Sequence, residues 1–338
     1  MRKRFTAFIL VILLLLPLFS VRAEAEKQSL PVLMYHHISK DKSQWNDYVV
    51  SLEEFESDLD YLASHGWHSV SVRELLAWYD GAFEMPEKPF MITFDDGFES
   101  TLAYAEPLLA EYGFCGVVAV IGSVCGEFSK YEKHDPEFSN ISWDEAAGMA
   151  ERGVIEVQCH TWDMHASWPR CGCRKKRGEN PEAYRAALEA DLERFLRESE
   201  AHGVDLVPAI AYPFGAFSAE TGEIVLGEGF EVVFTCWEHF NTLFRGEEKP
   251  YQLGRFNRPH GIASERFFRE WEAAAEVQDS SASFSPPFSR RKTERSVISS
   301  NCSQPVKTAS TAHFTVPTAA SLVHTSGSDS SARRRSSP

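Results

Sequence analysis

Basic residues are in short supply in this 338-residue chain. Lys and Arg number 34 against 49 Asp and Glu, a formal net charge of −15. That balance argues against nucleic acid as a partner, because nucleic-acid binding rests on Lys and Arg neutralising phosphates. Long apolar runs are also absent, with one exception. Residues Phe5 to about Phe19 are apolar, follow the basic Arg2, Lys3 and Arg4, and precede the small residues Ala23 and Ala25. That layout predicts a secretory signal peptide over residues 1–25, with an uncleaved membrane anchor as the alternative. No cysteine follows the run, which excludes lipid attachment there. Cysteine is sparse throughout, at Cys115, Cys125, Cys159, Cys171, Cys173, Cys236 and Cys302. An odd count in an exported chain leaves at least one thiol unpaired or bonded between molecules. Cys171-Gly-Cys173 lacks the second pair that a zinc-finger spacing requires, so a loop disulfide or free thiols are expected instead.

Hydrophobic periodicity is missing from about Asp279 onward. Residues 279–338 are rich in Ser, Thr, Pro and Arg, and such a stretch cannot bury enough apolar surface to offset its ordering entropy. Residues 290–338 hold eight basic against two acidic side chains. The tail is assigned no function. Between the two ends, residues 30–278 suffice for one large domain with a substantial core.

This middle part alternates short apolar runs with helical patterns. Three serines followed three residues later by glutamate (Ser51/Glu54, Ser71/Glu74 and Ser142/Glu145) mark capped helix starts. Apolar runs at 30–38, 68–72, 89–94, 115–122, 154–160, 207–215 and 230–237, with a last strand at 251–259, alternate with those helices. The pattern predicts an α/β fold, a distorted or incomplete (β/α) barrel with about seven parallel strands. In such a fold the active site lies at the carboxyl ends of the strands.

The polar residues at those ends are informative. "MITFDDGFES" ends an apolar run in Asp95, Asp96 and a glycine. An Asp-Gly turn is the ordinary reading, but two adjacent carboxylates also suit one metal ligand beside one general base. "QCHTWDMH" sets His160 and His165 five apart, too far for one helix face and without the glutamate of a His-Glu-x-x-His motif, yet able to converge from a strand end and the following turn. A divalent ion at Asp96, His160 and His165 would activate water, with Asp95 accepting its proton. The acid that protonates the leaving group falls to His36, at the end of the first strand, with His260 as second choice. Aromatic residues at or near the rim (Trp143, Trp162, Trp168, Phe214 and Trp237) suit stacking on sugar rings or plain core packing.

"TFDDG", "HTWDMH" and "AYPFG" together resemble the polysaccharide deacetylase (NodB-homology) family of carbohydrate esterases. "PVLMYHHI" further resembles its poly-N-acetylglucosamine deacetylase branch. The resemblance runs from about Leu30 to Trp271. It implies hydrolysis of N-acetyl groups from an amino-sugar polymer, with an O-acetyl esterase or a carbohydrate-binding module as alternatives. It implies a divalent metal, Zn2+ ahead of Co2+ or Ni2+. Asp95 matches the base, Asp96, His160 and His165 the metal ligands, and His36 the acid. Tyr212, Pro213 and Phe214 match the motif whose backbone N–H helps hold the oxyanion. The implied setting is a monomer at the cell envelope or outside the cell, with cell-surface or membrane association and a polysaccharide as partner. Two departures stand out. Ala211 occupies the place of an arginine that orients the base in many relatives, which leaves Arg255 or Arg258 to supply it. "NRPHG" is also an imperfect substitute for a late Leu-x-His motif.

Overall fold

Alternation of side chains along short strands sets the architecture. The computed structural model describes residues 27–245, 252–269 and 271–272. The expected signal segment and the Ser/Thr/Pro/Arg-rich tail lie outside the described residues. Of two compact units, Met1–Ser289 and Arg290–Pro338, the first contains all of them. Strands Val32–Tyr35, Pro89–Phe94, Gly116–Val120, Ile155–Cys159, Leu206–Ala211 and Val232–Phe234 pair in parallel in chain order. The short strand His68–Ser69 adds to Pro89–Phe90.

The last strand differs from expectation because it is broken in two. Gln252–Leu253 pairs with Val232–Phe234, while Phe256–Asn257 pairs with Val32–Tyr35 at the opposite edge. One segment therefore touches both edges of the curled sheet, interrupted at Gly254 and Arg255. The path holds eight strands instead of about seven, and the fold is the expected distorted barrel.

Residues of alternate parity enter two separate cores. Leu33, Tyr35, Ile92, Phe94, Val118 and Val120 pack against Phe55, Leu59 and Leu62 of helix Leu52–Ser64. Val32, Met91, Val117, Ala119, Ala211 and Phe234 pack on the other face, with Val72, Leu75 and Trp78 of helix Val72–Tyr79. The carboxylate of Glu156, near the start of its strand, accepts the Val72 N–H at 2.7 Å. This holds that helix at the amino-terminal end of the barrel and leaves the carboxyl-terminal end for polar groups.

All three predicted capping boxes form. The helical segment after strand Pro89–Phe94 begins as a π-turn, Thr101–Ala105, before Glu106–Tyr112. The run at 115–122 ends as a strand at Val120, and an unexpected helix, Gly122–Phe128, follows. Lys27–Leu30 and Asn241–Phe244 form an antiparallel pair apart from the barrel sheet. No helix among the described residues is long and apolar enough to cross a membrane.

Candidate active site

The strand Pro89–Phe94 carries Met91 and Thr93 on its inner face, and Asp95 continues that parity just past its end. Arg255, at the break in the last strand, grips Asp95 with two hydrogen bonds. Nη1 donates to Oδ1 at 2.7 Å and Nη2 to Oδ2 at 2.8 Å. Arg255 is itself held by the Thr93 hydroxyl at 3.1 Å and the Thr235 carbonyl at 2.9 Å, and both partners are buried. Burial would raise the Asp95 carboxyl, but Arg255, then His160 and His36, hold it below its ordinary value. Of the two arginines that sequence left open, Arg255 takes the position. Arg258 forms a buried pair with Asp58 instead.

Asp96 turns the other way because its backbone is left-handed, with φ 70°. Gly97 continues that conformation at φ 68°, and a Cβ there would lie 3.1 Å from Val120 Cγ1 and 3.3 Å from Val120 Cα. The glycine after the two aspartates is thus a packing requirement as well as a turn residue. Asn140 pins the turn, its side-chain amide donating to the Asp96 carbonyl at 2.9 Å.

His160 Nε2 and His165 Nε2 lie 3.3 and 3.0 Å from Asp96 Oδ1. The Nδ1 of His160 sits 2.8 Å from the Ala211 carbonyl. A carbonyl only accepts, so Nδ1 carries a proton, and in the neutral imidazole the Nε2 lone pair faces the Asp96 carboxylate. Asp96 Oδ1 is buried with no geometrically sound hydrogen bond. A carboxylate oxygen meeting an imidazole lone pair is the environment a cation would complete, and the three residues form a group able to hold a metal ion. Burial would raise Asp96, yet His165, His160 and His36 hold it well below the carboxylate range. Burial would lower His165, and Asp96 raises it instead.

The described chain has only three non-glycine residues with positive φ: Asp96, Thr161 and Phe214. Each follows a different strand of the barrel and belongs to one of the three sequence motifs. A left-handed β-branched residue such as Thr161 is costly, and strain of this kind concentrates at functional sites. The turn after His160 is anchored by Asp191 of the long helix Pro181–Ala201, which accepts the Trp162 and Asp163 N–H groups at 2.8 and 2.9 Å.

His36 joins this rim. It interrupts the first apolar run between strands Val32–Tyr35 and His37–Ser39, its Nδ1 is buried without a partner, and its ring lies edge-on to Tyr48 at 5.0 Å. Burial lowers its imidazole, against the pull of Asp96 and Asp95. His37 points away, within hydrogen-bond distance of Ser100 Oγ at 2.8 Å. His260 is held elsewhere, 2.6 Å from the capping-box carboxylate of Glu54.

The Tyr212 N–H donates to the Phe234 carbonyl at 3.1 Å as part of the sheet ladder, so it is already engaged. Trp143 is buried in the core, the packing alternative of the two readings. Pro213 is buried. Phe214 is 48% exposed and packs on His165 at 4.6 Å, and Trp237 is 42% exposed, with its carbonyl accepting the Arg255 N–H. Sequence reasoning missed Tyr48, Asn140, Thr93 and Thr235, none of which stands in a motif with a characteristic spacing.

A curled parallel sheet carries an Asp pair, two histidines and a Tyr-Pro-Phe-Gly turn at its carboxyl end. Residues 83–233 match the family model described as polysaccharide deacetylase. YxkH of Bacillus subtilis, whose name assigns it to the polysaccharide deacetylases, is 27% identical over 206 residues, covering 61% of this chain and 64% of that protein. The chain thus spans less than two thirds of that relative. The poly-beta-1,6-N-acetyl-D-glucosamine N-deacetylase of Staphylococcus aureus (strain MSSA476) is 22% identical over 262 residues, 70% of this chain and 87% of that one. Among solved structures, IcaB from Ammonifex degensii matches with a TM-score of 0.55 and 27% identity over 68% of this chain and 91% of that one.

Proposed function

We propose that the protein hydrolyses N-acetyl groups from an amino-sugar polymer outside the cytoplasm, with Asp95 as base and His36 as acid. The observation that carries this reading is the clamped Asp95 beside the convergent Asp96, His160 and His165. A divalent ion held by those three residues, Zn2+ ahead of Co2+ or Ni2+, would supply Lewis acidity, favouring attack by water and polarising the acyl oxygen. Arg255 keeps Asp95 ionised and fixes both of its oxygens, so the carboxylate is ready to accept a proton from water. The water oxygen bonds to the acetyl carbon, the C–N bond breaks, and the departing amine takes a proton from His36. Exposed Phe214 and Trp237 offer flat apolar faces to sugar rings. The monomer, the exported location and the association with the cell surface belong to this reading.

Acetate release from poly-N-acetylglucosamine, chitooligosaccharides, peptidoglycan and acetylxylan tests it, with and without chelator. Chelation should abolish release from the amino-sugar polymers, and added Zn2+ or Co2+ should restore it. Full activity in metal-free protein would end the reading. Release from acetylxylan alone would favour an O-acetyl esterase.

The role of His36 has its own signature. An amide's amine must be protonated as it leaves, whereas an activated aryl ester departs unaided. His36→Ala should therefore slow N-acetyl polymer hydrolysis by about two orders of magnitude and aryl acetate hydrolysis far less. His260→Ala should show no such contrast. Burial holds the His36 imidazole below its ordinary 6.5. An acid must be protonated to act, so kcat/KM for the polymer should fall as pH rises through a midpoint below that value. Equal losses on both substrates, or an alkaline limb unchanged in His36→Ala, would remove His36 from the role.

A further inference from the structure

A second convergence of ligand atoms lies three residues beyond the catalytic pair and has no part in the chemistry above. His134 Nε2 lies 3.1 Å from the Phe128 carbonyl, which can only accept, so Nε2 bears a proton. The other ring nitrogen, Nδ1, lies 2.8 Å from Glu145 Oε2 and 3.4 Å from Glu99 Oε2. The His134 and Glu99 side chains are only 6% and 9% exposed. The arrangement repeats that of His160, with a backbone carbonyl fixing one imidazole nitrogen and the other aimed at carboxylate.

The charge balance decides what completes it. A proton on Nδ1 would serve Glu145 at the shorter distance and reach Glu99 only at 3.4 Å. Two carboxylates around one imidazolium also keep a net negative charge in a largely buried place. The charges that bear on Glu99 are those of Glu145 and His134, and burial together with Glu145 pushes its carboxyl up to about 7. A divalent cation balances both carboxylates and accepts the imidazole lone pair.

We propose that Glu99, Glu145 and His134 Nδ1 form a second divalent-cation site, separate from Asp96, His160 and His165. Its place in the fold gives it a task. His134 sits in the connection between helices Gly122–Phe128 and Trp143–Arg152. That connection lies against the turn after the catalytic pair, with the Glu99 N–H donating to the Ser139 carbonyl, the Ile141 N–H to the Gly97 carbonyl and the Asn140 amide to the Asp96 carbonyl, each at 2.9 Å. An ion joining His134 and Glu145 to Glu99 would fasten the connection to the segment that carries Asp96.

The test is a count of bound metal on the full chain. Metal-stripped protein is titrated with Zn2+, and bound zinc is measured by mass spectrometry after gel filtration. Wild type should retain two equivalents, while His134→Ala, the near-isosteric Glu99→Gln and Asp96→Asn should each retain one. Asp96→Asn combined with His134→Ala should retain none. A single equivalent in wild type that persists in His134→Ala and Glu99→Gln and disappears in Asp96→Asn would overturn the second site while leaving the catalytic reading standing. A single equivalent lost in His134→Ala and kept in Asp96→Asn would support the second site and sink the catalytic one. Should both second-site variants fail to fold, wild type and Asp96→Asn decide the matter together: an equivalent that survives Asp96→Asn supports the proposal, and one that disappears with it, or none in wild type, overturns it.

Discussion

Asp95→Asn should retain the ion at Asp96, His160 and His165 and lose about two to four orders of magnitude in turnover, the usual range for removing a general base. Asp96→Asn should fail differently, binding metal weakly and recovering part of its activity in excess Zn2+. The two carboxylates are neighbours in sequence but not in environment. One is bound through both oxygens to Arg255, and the other has Oδ1 facing two imidazole nitrogens. Zinc content and acetate release measured on the same preparations separate the two roles. If both variants lose metal to the same extent, the division of labour is wrong. Asp95→Asn also leaves the Arg255 charge buried without its counterion, so circular dichroism has to establish that the tested protein is folded.

Arg255→Ala should be the most damaging single change to stability in the barrel. Breaking one side of a fully buried ion pair typically costs about 3–5 kcal/mol, and Arg255 loses its bonds to Thr93 and Thr235 as well. The pH dependence tells how it acts. Asp95 is held below its ordinary value chiefly by Arg255, against the effect of burial. That depression contributes stability above the unfolded-state value of a carboxyl and loses it as pH falls through the lower folded value. The stability gap between wild type and Arg255→Ala should therefore be widest near neutral pH and narrow in acid. With the arginine gone, burial dominates and the Asp95 carboxyl rises. The acid limb of kcat/KM should then move to higher pH, so that raising the pH recovers part of the loss. Arg255→Lys keeps the charge without the two-pronged geometry and should fall between the two. An unshifted acid limb in Arg255→Ala would show that the residue serves the fold alone.

Much of this arrangement could be read from the chain, for identifiable reasons. Strands of period two, three Ser-x-x-Glu caps and the motifs at Asp95, His160 and Tyr212 are local signals, and the barrel follows from their alternation. The choice between Arg255 and Arg258 was not readable. Both lie in the same short stretch, and what separates them is which buried carboxylate each meets, Asp95 or Asp58. Each of those partners is more than a hundred residues away. The engagement of the Tyr212 N–H is equally illegible in the chain, since its acceptor, the Phe234 carbonyl, lies on the neighbouring strand. His134 gave no signal at all, because a lone histidine in a loop acquires meaning only when two distant glutamates meet it.

The broken last strand has a consequence for how the protein matures. Leu253 pairs with Phe234 and Phe256 with Leu33, so the segment between them closes the sheet and delivers Arg255 in the same act. Contacts that join positions so far apart in the chain form late and slowly, because a long loop must be ordered before they are made. During synthesis, Asp95, Asp96, His160 and His165 leave the ribosome well before Arg255. Until residue 255 arrives, Asp95 has no counterion in place, and an ionised carboxylate is costly to bury alone. Catalytic competence and barrel closure would then appear together in a refolding experiment, as a single late phase, and a chain ending before residue 252 would lack both.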